Sequence, residues 1–596
     1  MQPEIFYKER ITALAAALKK LEKKSSLLGW ARLLSSVGII PVLYGLWPYG
    51  WLYPAVAFII WLVVFIRLVF TDLDNKASIR HHEQLLLINE DELRALRNDY
   101  FHFDEGNEHS PHEHFYSNDL DIFGKASLFQ YINRSTSAMG SKAMAGWLLN
   151  PAGEKTIIKR QEASKELYKE TNWRQALHAY GRERKIQAVT YERLQEWLNE
   201  EDIFLTKPLW MILQWAVPVI MITGMLLNAF AIISDPVRNI LLLFSGILAL
   251  FIAKKAVPLH NKVSKITDEL SVLTESIRLI ETKAFHSALL LQFQSAFKQP
   301  GTNASMEMKK LKGIVQRMDW RLNPVVFIPL ALLSQWDLQQ VIALEKWKRK
   351  NHQNITAWFD SLGDFEAISS LATLHFNHPD WCFPVLSKEH FYIDGKQVGH
   401  PMINPLKRVN NSIAINDKGI IMLVTGSNMA GKSTYLRSIG INTVLTMAGA
   451  VVCAETFSIS PVQLLTSMRI ADNLEENTST FYAELKKLKT VIEKVNNHEP
   501  VFILLDEILR GTNSFDRHTG AVALTRQLIK QQAAAVIATH DVELAALKET
   551  YPDSILNYHF DVQVNNEELY FDYRLKEGIC NSLNASILMK KIGIEL

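Results

Sequence analysis

The stretch Gly426-Ser427-Asn428-Met429-Ala430-Gly431-Lys432-Ser433-Thr434 decides how the last third of this chain folds. It matches G-x-x-x-x-G-K-[ST] in full. Glycines are needed there because only they let the backbone wrap its N–H groups around phosphate oxygens. The run before it, Ile420-Ile421-Met422-Leu423-Val424-Thr425, is continuously apolar and β-branched, as expected of a parallel strand buried on both faces. A helix opening near Lys432 adds its positive end to the same anion site. Residues Gly426 to Thr434 are therefore expected to bind ATP, with Lys432 reaching the β- and γ-phosphates and Ser433 ligating Mg²⁺.

Working outward, a second apolar strand, Val501 to Leu505, ends in Asp506-Glu507, and a third, Ala533 to Ala538, runs into Thr539-His540. Ligands of open α/β sheets gather at the carboxyl ends of strands. The pattern assigns Asp506 to the magnesium, Glu507 to orienting and polarising the attacking water, and His540 to sensing the γ-phosphate. These three strands predict an α/β unit over 375–596, where the texture changes to short strands with Gly and Asn turns.

Upstream lie four apolar runs, each near the roughly 20 residues a spanning helix needs. They pair as hairpins over 28–71, turning at Pro48-Tyr49-Gly50, and over 209–257, turning at Ser234-Asp235-Pro236. Lys19, Lys20, Lys23, Lys24, Lys207, Lys254 and Lys255 flank both hairpins on the same side. The positive-inside rule then expects a multi-pass protein of the cytoplasmic (inner) membrane with its large segments in the cytoplasm. Arg32, Arg67 and Gln214 interrupt the runs, and the arginines sit near helix ends where they can snorkel. Pro324 to Leu333 is too short to span and reads as a core helix. Residues 1–27 form an amphipathic cytoplasmic helix without a cleavage pattern. Segments 72–208 and 258–374 carry helical periodicity with mixed charge and read as two parts of one helical domain.

Composition adds limits. Lys+Arg at 64 against Asp+Glu at 62 gives a net charge of +2, so any nucleic-acid contact must come from a local patch. The three cysteines, Cys382, Cys453 and Cys580, form no C-x-x-C pair, which suggests neither a zinc site nor a disulfide framework. Short external turns and the lack of intramembrane charge pairs argue against a transporter.

With these residues in hand, the C-terminal third resembles the ATPase domain of the MutS mismatch-repair family. The loop is similar to that family's G-P-N-M-G-G-K-S-T, including Asn428 and Met429. Asp506-Glu507-Ile508-Leu509-Arg510-Gly511-Thr512-Asn513-Ser514-Phe515-Asp516 resembles D-E-I-G-R-G-T-S-T-F-D, and Ser479-Thr480-Phe481-Tyr482-Ala483-Glu484-Leu485 resembles S-T-F-x-x-E-M. Upstream, Thr136-Ser137-Ala138-Met139-Gly140, Trp147 to Pro151, Gly363-Asp364-Phe365-Glu366-Ala367 and Gly399-His400-Pro401 are similar to the family's helical core and its approach to the ATPase. The resemblance implies a homodimer with two composite ATP sites, Ser479 contacting the partner's nucleotide in trans, and binding of mismatched DNA. Against the DNA output, only about 27 residues precede the first hairpin where mismatch readers carry a sizeable domain. Phe103-Asp104-Glu105 spells the reader's Phe-x-Glu tripeptide without a domain around it, and the second hairpin falls where the family inserts its DNA clamp.

Two further features stay open. His102, His109, His112 and His114 could hold a divalent metal, although their spacing fits no established pattern and a solvated loop is the preferred reading. Lys309, Lys310, Lys312, Arg317 and Arg321, with Lys346, Lys348, Arg349 and Lys350, are as consistent with solvated helix faces as with a DNA-backbone patch. The expected architecture is thus α plus α/β and multidomain: two transmembrane hairpins, an all-helical MutS-like core and a P-loop ATPase domain. The expected function is an ATP-driven dimer cycle in mismatch repair or, without DNA, a membrane scaffold or remodelling protein acting on a protein or lipid partner.

Overall fold

The computed structural model describes residues 2–299, 302–389, 391–427, 429–469, 480–565 and 568–579. Helices dominate up to Asn377, and two sheets follow. The first 96 residues form two long helices, Pro3–Leu46 and Leu52–Leu96, packed along one another and joined through Gly50 at φ 112°. Neither helix breaks at 27/28 or 71/72, because no proline and no positive-φ residue stands at those points. Arg32 does not interrupt the hairpin as a lone charge: its guanidinium pairs with Asp72 at 2.7 Å. The second hairpin is Pro208–Ala229 with Asp235–Val263. Gln214 there is also satisfied from within, donating to Gln339 Oε1 at 2.8 Å. All four helices are long and apolar enough to cross a membrane, and at most 22% of the most apolar window of each is buried.

The 23-residue helix Ile355–Asn377 runs through the middle of the helical part. Its Glu366 lies in the core, accepting from Thr136 Oγ1 at 2.5 Å and from the Ser137 N–H at 3.0 Å. Ser137 also caps the helix Ala138–Leu149 through the Gly140 N–H at 3.0 Å. Two segments singled out in the sequence 230 positions apart are thereby joined by one buried carboxylate. Gly363 lets the two helices touch, since a Cβ there would sit 2.8 Å from the Met139 carbonyl carbon. At the far end of the long helix, Asn377 accepts from Tyr7 Oη at 2.7 Å and donates to Glu92 at 2.8 Å, so both helices of the first hairpin are tied to it.

The principal sheet has six strands in the order Glu568–Glu577, Ile555–Asn565, Ile421–Gly426, Ala534–Thr539, Val501–Asp506 and Gln463–Ser467. All neighbours are parallel except the terminal pair Ile555–Asn565 and Glu568–Glu577. The three strands expected from sequence are the central ones, buried along their whole length. A four-stranded sheet of Val385–Leu386, Thr456–Ile459, Ile393–Val398 and Asn411–Ile415 stands beside it. The helical part grips the edge strand of the large sheet: Thr466 N donates to Phe115 O at 3.0 Å, and buried Asp119 accepts from Thr466 Oγ1 at 2.6 Å and the Arg469 N–H at 3.1 Å.

One expectation fails. Pro324–Ser334 is not a core helix, since Ala331 is its one buried residue and it lies across the second hairpin with Val325, Val326 and Ile328 exposed and its other large apolar side chains half-buried. An uncharged apolar decamer has the same composition whether protein or another apolar medium covers it, so sequence alone could not choose.

Gly363→Ala should force the two central helices apart. A loss of about 1–3 kcal/mol, typical of an overpacked core, is expected as a lower melting midpoint in detergent, whereas Gly146→Ala, with open space around it, should leave the midpoint in place.

Candidate nucleotide-binding site

Adjacent parallel strands end together, so the residues that follow them meet. Thr425 pairs in register with Thr539, and Ala538 with Asp506. This brings the loop after Gly426, the His540 turn and the Asp506-Glu507 pair to one edge of the sheet. The helix Lys432–Ala448 begins directly after Gly431, whose φ of 103° belongs to the left-handed region that favours glycine. Gly431 also lies beneath Tyr573, where a Cβ would come within 3.0 Å of the ring. Met429 stands at φ 71° with its side chain in the open.

Lys432 is buried, and its ammonium folds back on its own loop, donating to Gly426 O at 2.8 Å and Ser427 O at 2.9 Å, with His540 Nδ1 3.4 Å away. Ser433 Oγ donates to Asp506 Oδ2 at 2.5 Å. The other oxygen, Asp506 Oδ1, is buried with no hydrogen-bond partner among the described residues. An orphaned carboxylate oxygen beside a serine hydroxyl is the donor set a hard divalent cation takes, so Ser433 and Asp506 fit Mg²⁺. Glu507 sits at φ 50° and accepts from His540 Nε2, while Arg510 Nε lies 3.0 Å from its other oxygen. The hydrogen bond from His540 is the main reason that the Glu507 carboxyl is held below its ordinary range. Thr434 is exposed and Ala430 buried. Asn428 and Ser479 lie outside the described residues.

Three parts of the site were not read from sequence. A cavity of about 370 Å³ opens beside the loop, lined by His400, Ile403, Val409, Phe560 and Tyr573 as well as Lys432 and Glu507. That is within the range of small-molecule pockets. Burial pushes the His400 imidazole down to about 4, so that ring is neutral near pH 7, while Lys407 and Arg408 line the same wall. Arg510 is the second. The third is Glu484 on the helix Thr480–Asn496, almost fully buried, whose Oε1 accepts the Leu509 N–H at 2.5 Å. Leu509 has φ 61°, and a Cβ on Gly511 would lie 2.6 Å from Phe481 Cβ. The start of this helix thus clamps the loop that aims Glu507. The signal was present: Glu484 falls on the stripe Phe481, Leu488, Val491, Val495, where a carboxylate has no reason to be unless it has a partner.

Other residues singled out from sequence do not converge here. Among the described residues the four histidines from His102 to His114 form no metal-sized group; His102 faces Asp91 at 3.3 Å and His114 Nε2 bonds Leu149 O at 3.1 Å. This segment is therefore packed in part, not wholly solvated. Phe103 lies under the Arg134 guanidinium, 3.7 Å from the ring centroid, and Asp104 accepts the Gly106 N–H at 3.1 Å. In the basic stretches, Lys310 and Lys350 pair with Glu307, Lys348 and Arg349 with Asp202, and Arg321 with Asp337.

Residues 422–590 match the family model described as MutS domain V. Over that stretch the chain is similar to the MutS family. It is 32% identical over 209 residues to "MutS protein homolog 4" of Homo sapiens, covering 33% of this chain and 22% of that protein. It is 28% identical over 252 residues to "DNA mismatch repair protein MutS" of Thermotoga maritima, covering 41% and 31%, and 30% identical over 250 residues to "DNA mismatch repair protein MSH3" of Candida albicans, covering 39% and 24%. The chain thus spans between 22% and 31% of the length of these curated relatives.

Glu484→Ala should release the 507–511 loop. Loss of a buried hydrogen-bond partner costs about 1–3 kcal/mol and is expected as faster amide exchange at Leu509 and Arg510, whereas Glu484→Gln, which keeps an acceptor, should exchange near the native rate.

Proposed function

We propose that this chain is a membrane-anchored MutS-type ATPase whose loop Gly426–Thr434 binds ATP and whose Glu507 drives its hydrolysis. The observation that carries the reading is the convergence of Lys432, Ser433 with Asp506, and Glu507 with His540 at the mouth of one cavity large enough for a nucleotide. Lys432 exchanges the carbonyls of Gly426 and Ser427 for phosphate oxygens, so nucleotide entry reshapes the loop. Magnesium, held by Ser433 and Asp506, supplies charge neutralisation of the phosphates. Glu507, a carboxylate near neutral pH, orients water and accepts its proton, and His540 holds the carboxylate in place and reports on the γ-phosphate. Asn428, Met429 and, from the partner subunit of a homodimer, the element bearing Ser479 complete the site by family resemblance.

The four apolar helices anchor the molecule in the cytoplasmic membrane, with the helical part and the sheets in the cytoplasm, as their lysine flanks favour. Action on DNA, as the printed names of the relatives suggest, is one output of the ATPase cycle. The pairing of basic residues with Glu307, Asp202 and Asp337 favours the second reading, in which the same engine drives a membrane scaffold or remodelling protein on a protein or lipid partner.

ATP turnover by detergent-purified protein, with and without homoduplex and mismatched DNA, tests both. Mismatch-dependent turnover supports repair; turnover blind to DNA, with no salt-sensitive duplex retardation, supports the second reading. Lys432→Ala should weaken ATP binding itself, while Glu507→Gln should keep binding and stop hydrolysis. Full turnover by Glu507→Gln would overturn the assignment. His540→Ala removes the hydrogen bond that lowers the Glu507 pKa, so the acid limb of the turnover profile should move up in pH.

A further inference from the structure

We propose that the helix Pro324–Ser334 is a re-entrant membrane segment whose exposed face contacts lipid acyl chains. The inference rests on the reading that the second hairpin crosses the bilayer. No charged residue occurs between Asn323 and Gln335, and Leu322, Val325 and Ile328 are 76%, 83% and 55% exposed, an apolar face that water would not favour.

Depth follows from where the helix ends. Gln335, at φ 49°, turns the chain by 79° into Trp336–Asn351. At that bend its Nε2 donates to Ser245 O at 3.0 Å and Ser245 Oγ at 2.8 Å, and Ser245 Oγ donates to Leu332 O at 2.5 Å. Ser245 lies ten residues into Asp235–Val263, about 15 Å along the helix at 1.5 Å per residue, which is half of a hydrocarbon core of roughly 30 Å. A helix pinned to the middle of a spanning segment shares its surroundings. Protein groups meet most of the demand that polar groups in hydrocarbon be satisfied, although Gln335 Oε1 is buried with no hydrogen-bond partner among the described residues. Gln335 N donates to Ala331 O, Ser334 Oγ to Leu330 O, and Asn323 Oδ1 caps the Val325 N–H. The nearest charges are paired, Arg321 with Asp337 at 3.3 Å and His260 with Asp319 at 2.8 Å, beside the stacked rings of Trp320 and Trp336.

The test places an environment-sensitive nitrobenzoxadiazole label on single cysteines of an otherwise cysteine-free full-length chain in phosphatidylcholine vesicles. Val325→Cys and Ile328→Cys are compared with Leu243→Cys in the hairpin and Lys309→Cys on the solvated helix. The expected result is loss of emission with doxyl lipid and none with iodide at 325, 328 and 243, and the reverse at 309. Because Cys453 is buried, photo-crosslinking from benzoylphenylalanine at 325 in the chain with its native cysteines is the parallel measurement, and a lipid adduct is expected. Quenching by lipid at 243 but by iodide at 325 and 328 would overturn this inference while leaving the spanning hairpin intact. Iodide quenching at 243 would remove the spanning reading, and the inference with it. A protein–protein adduct from position 325 would assign the face to a second copy and overturn lipid contact.

Discussion

The arrangement of this protein depends on one buried carboxylate. Glu366 sits midway along the helix Ile355–Asn377 and gathers the Thr136 and Ser137 hydroxyls and a backbone N–H around itself. Burial pushes its carboxyl up, so the site tolerates it only because these donors are in place. Fixing Glu366 fixes the contact between two helices that a glycine allows to touch, and the long helix then carries the first hairpin at its Asn377 end. Directly beyond lies His378, hydrogen-bonded to Tyr131 at 2.6 Å, where the chain leaves for the sheets. First hairpin, helical core and sheets are thus ordered along a single rod.

A second tie closes the circuit. The rod feeds the sheets through the backbone, while Asp119 and Phe115 reach the opposite edge of the large sheet, at Thr466 and Arg469. Asp119 also lies 3.4 Å from Lys487, one turn along the helix that carries Glu484. Core, edge strand and the clamp on the Glu507 loop therefore share one small group of charges.

What was legible in the sequence was local. A buried parallel strand, a glycine loop and carboxylates at strand ends are each written within ten consecutive residues, and their register follows from strand length alone. The membrane-length helices were legible for the same reason, although their continuation past the apolar stretch was not, since the composition changes near Leu28 and Thr71 while the backbone stays helical. The far wall of the cavity was illegible because it is assembled from His400, Val409, Phe560 and Tyr573, which only the sheet order brings together. Pro324–Ser334 was misread because its meaning depends on what lies next to it, and Glu484, matched within the S-T-F-x-x-E-M likeness, had no role assigned because its partner is a backbone N–H that has no letter in the sequence.

The unbroken helix Leu52–Leu96 has a consequence for how force would travel. Its 45 residues make a rod of about 67 Å at 1.5 Å per residue, anchored near Glu92 and free of any break up to the Gly50 end. A pivot of only about 5° at the anchored end swings the far end sideways by roughly 6 Å over that length. Small rearrangements at the anchored end would thus arrive at the Gly50 end enlarged, in the manner of a long pointer on a short-throw gauge.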